Sequence, residues 1–112
     1  MNFNIIPLAS FEKELKKLAK KYPSIKKDYA DLLDELEINP KLGVSIGKNC
    51  YKIRMSIASK GKGKSGGARV ISHIVITIKE ENLYLLTIYD KSEQDNISEA
   101  ELRSLLESIK YL

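Results

Sequence analysis

The chain has few of the residues that build disulfides, zinc sites and aromatic surfaces. Its 112 residues include one cysteine, one histidine and no tryptophan. A single cysteine cannot form an internal disulfide, and one cysteine with one histidine is too few for a zinc site. The lone Cys50 is expected to be a small buried apolar residue, and it fits a reducing compartment. We therefore expect a cytoplasmic protein.

Long apolar runs are also missing, and so are acidic residues over the middle of the chain. No segment approaches the ~20 apolar residues of a membrane-spanning helix, and no signal peptide is visible, so no membrane association is expected. The net charge is only +4, but no Asp or Glu occurs between Lys41 and Lys79, where Lys and Arg are frequent. This uneven distribution indicates a surface that binds a polyanion.

Apolar periodicity predicts a single α+β domain over residues 1–112. A short strand at 3–8 precedes two amphipathic helices, the first capped by Ser10 and the second ended by Asn39 and Pro40. Residues 51–57 then alternate as in a half-buried strand, and 70–78 with 83–89 form a probable hairpin. Ser98 and Glu101 form a capping box before a last helix. The prediction is a small antiparallel-type sheet with an N-terminal helical hairpin on one face and a C-terminal helix.

A glycine-rich cationic loop lies between two of these strands. Its lysines are Lys60, Lys62 and Lys64, and Arg69 enters the next strand. Glycine excludes a helix here, and the lysines are predicted to contact RNA phosphates; a solvated turn is the plainer reading. Arg69 is the most informative residue, because an arginine among apolar neighbours requires either an internal partner for its charge or a functional role.

Strand alternation places further cations near Arg69. Lys52 and Arg54 share one side of their strand, and Lys91 ends the last strand. If the three strands are adjacent, the four residues converge on one open surface and the helices cover the other. The strand register decides this, and the sequence does not fix it.

Such a cluster suits RNA cleavage by a neighbouring 2′-hydroxyl. Positive neighbours help a lysine to release its proton, so Lys52 is the predicted base and Lys91 the proton donor. Arg54 and Arg69 would hold the phosphate, because arginine stays protonated. This chemistry needs neither a metal ion nor another cofactor.

Three segments and the loop together resemble the RelE/ParE superfamily of bacterial toxins, and the loop is most similar to the HigB-type branch. These segments are Cys-Tyr-Lys-Ile-Arg at 50–54, Gly-Gly-Ala-Arg-Val-Ile at 66–71, Ile-Tyr-Asp-Lys-Ser-Glu at 88–93, and the loop Gly-Lys-Gly-Lys-Ser-Gly-Gly at 61–67. The resemblance implies a RelE-like toxin domain, a cognate antitoxin, which could be a helix-turn-helix protein like HigA, and cleavage of messenger RNA on the ribosome.

The basic site residues of RelE-type toxins fall on the same four positions: Lys52, Arg54, Arg69 and Lys91. The tyrosine that those enzymes place before the last helix is Ile97 here, so Tyr89 is predicted to stack on a base instead. His73 is read as structural, although a catalytic role stays open. Asp90, Glu93 and Asp95 are read as a solvated turn rather than a metal site.

Two other functions stay open. ParE members of the superfamily poison DNA gyrase on the same fold. The chain could also be a module without catalytic activity that only binds an antitoxin or RNA.

Overall fold

The computed structural model describes residues 3–110, so the predicted domain over 1–112 extends beyond them at both ends. Five strands form one mixed sheet in the order β1-β5-β4-β3-β2. In chain order the elements are β1 (Asn4–Pro7), α1 (Ala9–Lys21), α2 (Ile25–Ile38), β2 (Val44–Gly47), β3 (Cys50–Met55), β4 (Ala68–Ile76), β5 (Glu81–Asp90) and α3 (Glu99–Ile109). The predicted α+β class is confirmed.

The helical hairpin packs as its apolar stripes predict. One core contains the buried residues Phe11 and Leu18 of α1 and Leu32 and Leu36 of α2. Residues on one face of the sheet, including Ile53, belong to the same core. The predicted cap is wrong, because α1 begins at Ala9. The Ser10 hydroxyl instead donates a 2.7 Å hydrogen bond to the carbonyl of Leu86, which connects the helix to β5.

The sheet differs from the prediction at both edges. β1 lies parallel to β5, with Asn4 opposite Asn82, whereas every other pair is antiparallel. A short strand, β2, was not predicted and pairs with β3. It begins after Gly43, whose φ is +102° and whose added Cβ would lie 2.5 Å from the Lys52 carbonyl oxygen. Only glycine allows this close approach, so β2 depends on one residue in a polar stretch.

The last helix lies on the face opposite to the hairpin. Leu102 of α3 packs with Ile71 and Tyr89, which point away from the first core. The predicted N-terminus of α3 is confirmed, since the Ser98 hydroxyl accepts a 3.0 Å bond from the Glu101 amide. The expectation that all helices cover one face is wrong, and α3 shares its face with the cationic side chains. Of the helices within residues 3–110, none has both the length and the apolar character needed to span a bilayer.

The loop between β3 and β4 is anchored to the rest of the domain. The carboxylate of buried Asp28 accepts a 3.2 Å hydrogen bond from the Ala58 amide. The carbonyl of Gly67 accepts a 3.1 Å hydrogen bond from the Lys91 amide. Gly67 is packed so tightly that a Cβ would lie 2.2 Å from the Met55 carbonyl oxygen. Both ends of the loop are therefore fixed to the rest of the domain, whereas residues 61–65 between them are exposed.

This packing predicts that Gly67→Ala lowers the free energy of unfolding by about 2 kcal/mol or more, because backbone must move to admit the methyl group. Urea unfolding followed by circular dichroism measures the loss. Ser65→Ala is the matched control, since Ser65 is exposed and only its carbonyl forms a hydrogen bond. Equal stability of the two variants would contradict the close packing.

Candidate functional site

One cleft contains all four predicted cations. Lys52, Arg54, Arg69 and Lys91 line a cavity of about 710 Å³, to which Glu35 of α2 also contributes. The register explains the convergence: Arg54 lies directly opposite Arg69 across β3 and β4, and Arg69 lies opposite Tyr89 of β5. Residues paired across strands share a face. The register left open by the sequence thus brings the four residues together.

Arg69 is the fixed cation of the cleft. The residue is only 5% exposed. One guanidinium nitrogen donates 3.2 Å bonds to the carbonyls of Lys64 and Ala68, and another donates a 3.1 Å bond to the carbonyl of Ser65. These three bonds to carbonyls use part of its five donors and do not neutralise its charge, so Arg69 keeps a full positive charge at a defined position.

Lys52 and Arg54 add charge without internal neutralisation. Lys52 is half-buried and Arg54 is exposed, and within residues 3–110 neither has a carboxylate oxygen within 4.0 Å. Like charges directly opposite each other destabilise a strand pair, so the Arg54–Arg69 pair costs stability. Features that oppose folding in this way concentrate at functional sites.

Lys91 is the one cation of the four with an acidic partner. Its ammonium contacts the carboxylate of Asp95 and lies 3.4 Å from the Asp95 carbonyl oxygen. This contact lowers the pKa of Asp95, and the positive charges of Lys52 and Arg69 act in the same direction. Asp95 is the counter-charge of the cleft and is itself exposed, so an incoming anion can displace it.

Lys60 does not reach the cleft. Its ammonium lies 2.8 Å from Asp90, and the two side chains are 8% and 0% exposed. The Asp90 carboxylate also accepts the Tyr22 hydroxyl at 2.6 Å and the Ser92 amide at 3.0 Å. The predicted RNA contact of Lys60 disagrees with this geometry, because a buried ion pair holds the ammonium. Asp90 likewise belongs to this network rather than to a solvated turn.

The network makes stability sensitive to acid. Burial alone would raise the pKa of Asp90, but hydrogen bonds from Lys60, Tyr22 and Ser92 outweigh it and hold the pKa well below its ordinary value of 3.8. The unfolded chain therefore binds this proton more readily. The contribution of Asp90 is complete above about pH 4 and is lost as the pH falls further. Urea midpoints measured between pH 7 and pH 2.5 should fall more steeply for the wild type than for Asp90→Asn; parallel curves would contradict this assignment.

The two remaining loop lysines are exposed. Lys64 lines the cleft and lies 3.7 Å from Glu35 of α2, whereas Lys62 does not line it. Tyr89 is only 6% exposed and packs under α3 with the partly buried Ile97. The predicted stacking of a base on Tyr89 disagrees with this burial, because no face of the ring is open.

His73 lies outside the cleft, opposite Cys50 on β3. Its Nδ1 is 3.4 Å from the Cys50 sulfur. Burial lowers the pKa of His73 and raises the pKa of Cys50 to about 11. Both groups are therefore neutral near pH 7, which agrees with the structural reading of each.

Other cleft residues were not predicted as part of the site. Leu42, Gly43 and Val44 form one wall, and Glu35 and Asp95 contribute carboxylates. No local sequence signal distinguishes the 42–44 segment from an ordinary connection. Asp95 could have been noticed, because a carboxylate four residues after Lys91 is within reach in a tight turn.

Comparisons with known proteins identify the family and the fold of the chain. Residues 10–112 match the family model described as the RelE toxin of the RelE / RelB toxin-antitoxin system. A solved structure of the E. coli toxin RelE, a free-state mutant with two arginines replaced by alanine, superimposes with a TM-score of 0.58 at 15% identity. The match covers 85% of this chain and 90% of that one, so the two share a fold. The HigB-type branch stays a prediction. The family match spans most of the chain, and the protein belongs to the RelE family of toxin-antitoxin toxins.

Proposed function

We propose that this toxin is a metal-independent endoribonuclease that cleaves messenger RNA on the ribosome in the cytoplasm. The observation that carries the proposal is the cleft in which Lys52, Arg54, Arg69 and Lys91 surround a single space. A phosphodiester approaching that space meets three cations without acidic partners within residues 3–110 and a fourth whose partner is exposed. Membership of the family implies an antitoxin partner; a helix-turn-helix antitoxin like HigA is part of the proposal.

Each of the four residues has a role in one balanced reaction. Lys52, in its neutral amine form, accepts the proton of the RNA 2′-hydroxyl and becomes an ammonium, while the hydroxyl oxygen forms a new bond to phosphorus. Arg54 and Arg69 stabilise the charge that develops on the phosphoryl oxygens. The bond from phosphorus to the 5′-oxygen breaks, and Lys91 donates its proton to that oxygen. The products are a 2′,3′-cyclic phosphate and a free 5′-hydroxyl.

Dependence on the ribosome follows from what the cleft does not supply. Proteins that bind single-stranded RNA unaided usually stack its bases on aromatic side chains. Among the described residues that line the cleft, none is aromatic. The ribosome would hold the message in the required geometry, and Lys62 and Lys64 would contact nearby RNA phosphates.

Primer extension on messages from induced cells tests the proposal. Cuts within reading frames that appear on induction support it, and their disappearance in the Arg54→Ala variant ties them to the cleft. A DNA-damage response without cuts would overturn it in favour of gyrase inhibition. No growth effect and no cuts would indicate a module without catalytic activity.

A further inference from the structure

An exposed aliphatic side chain stands beside the cations. Val44 is 67% exposed, and of the four strongly exposed large hydrophobic residues within 3–110 only Val44 lines the cleft. It lies opposite Lys52 across β2 and β3, so the two side chains are neighbours on one face. An apolar group left in water at a charged site costs free energy unless a ligand covers it.

The wall that carries Val44 is rigid. Leu42 is half-buried and packs against the main core, which fixes the start of the wall. Gly43 then places the backbone against the Lys52 carbonyl, with room for no Cβ. A surface held in this way can bind a ligand without first being ordered.

The lining of the cleft combines two chemistries. The first is that of the cations, and the second is that of the uncharged residues Leu42, Gly43 and Val44. A bare phosphate would need only the first. A nucleotide needs both, because it joins a phosphate to a flat, largely apolar base. The volume of about 710 Å³ lies within the range of ordinary small-ligand sites.

We propose that a nucleobase adjoining the cleaved phosphate packs on the wall formed by Leu42, Gly43 and Val44. This inference rests on the proposed function for the identity of the RNA. The wall replaces the aromatic platform that the described part of the cleft lacks. Val44 offers no hydrogen bond to a base edge, so the contact adds affinity for a base without selecting among bases.

Methyl NMR of the full toxin tests the contact without requiring cleavage. The probe is a short RNA with a 2′-deoxy sugar at the cleaved position, which cannot react, and a second probe also lacks the adjoining base. The Val44 methyl signals should shift strongly with the first probe and weakly with the second, while the Arg54 side-chain N–H signal, recorded in a separate ¹⁵N spectrum, should shift with both. Equal Val44 shifts with the two probes, or none with either, would overturn the inference.

Affinity measurements give the size of the effect. Val44→Ala should weaken binding of the base-containing probe about five- to tenfold and leave the abasic probe unchanged. Ile76→Ala is the matched control, because Ile76 is 57% exposed on β4 and lies outside the cleft. Identical effects of the two variants would overturn the inference. Cleavage in cells is scored separately, so a base contact without cleavage would refute only the proposed nuclease.

Discussion

An Arg69→Ala toxin should no longer arrest growth. Removing a fixed cation that stabilises the phosphoryl oxygens costs about 10²–10³-fold in rate when the group acts in the transition state. We expect a loss of this size for Arg69 because three carbonyl bonds hold its charge in place before any RNA arrives. Cleavage of a message on purified ribosomes and growth after induction both measure the loss. Full toxicity of the variant would exclude the proposed phosphate clamp.

Two further variants separate chemistry from folding in that experiment. Arg69→Ala also removes bonds that hold the loop, so its thermal unfolding must be measured alongside. Arg54→Ala removes a neighbouring cation that is exposed and has no hydrogen-bond or ion-pair partner within residues 3–110. It should lower cleavage at least tenfold while stability changes by less than about 0.5 kcal/mol. Arg103→Ala on α3 is the charge-matched control, since Arg103 is exposed outside the cleft, and it should have no effect.

Asp90→Asn should be the most destabilising polar substitution in the domain. It leaves the buried Lys60 ammonium without its carboxylate, and breaking such a pair costs about 3–5 kcal/mol. Most small domains have only about 5–15 kcal/mol of stability, so the melting temperature should fall by roughly 10–20 °C. Calorimetry measures the shift. A change below about 1 kcal/mol would show that the pair contributes little.

The double variant Lys60→Met/Asp90→Asn provides the internal test of that pair. Removing both charges leaves no uncompensated ion in the interior, so the double variant should be more stable than the sum of the single changes predicts. Glu93→Gln serves as the surface control, because the Lys21–Glu93 pair is about half exposed on both sides. Its effect should stay within about 0.5 kcal/mol.

The parts of the fold with strong local patterns were predictable. The stripe that includes Phe11 and Leu18 specified α1, and the period of two put Lys52 and Arg54 on one face. Both signals arise within a single element and need no knowledge of its neighbours. The position of Arg69 opposite Arg54 could not be predicted without the register of β3 and β4. That register depends on hydrogen bonds between strands that are separate in sequence. A bulge beside Ile71 then changes the register with β5, and no local residue signals it.

The parts that failed depend on partners distant in the chain. Lys60 looks exposed beside its glycines, but its partner Asp90 lies 30 residues later. Tyr89 lies opposite Arg69, but no signal within β5 shows that α3 covers the ring of Tyr89. An apolar stripe such as that of α3 predicts burial but does not choose which face of the sheet it joins. Acid–base and phosphate chemistry suggested the roles of the four cations, and the resemblance to a family assigned its basic site residues to the same four positions.

The order of the strands has a consequence for the timing of activity. β5 is the last strand made, yet it lies inside the sheet, between β4 and the first strand, β1. Asn4 pairs with Asn82, which lies 78 residues later in the chain. Contacts between residues so far apart in sequence slow folding. A nascent chain already carries Lys52, Arg54 and Arg69 while Lys91 is still unsynthesised. The cationic cleft is therefore complete only after β5 has been made and has inserted between β4 and β1.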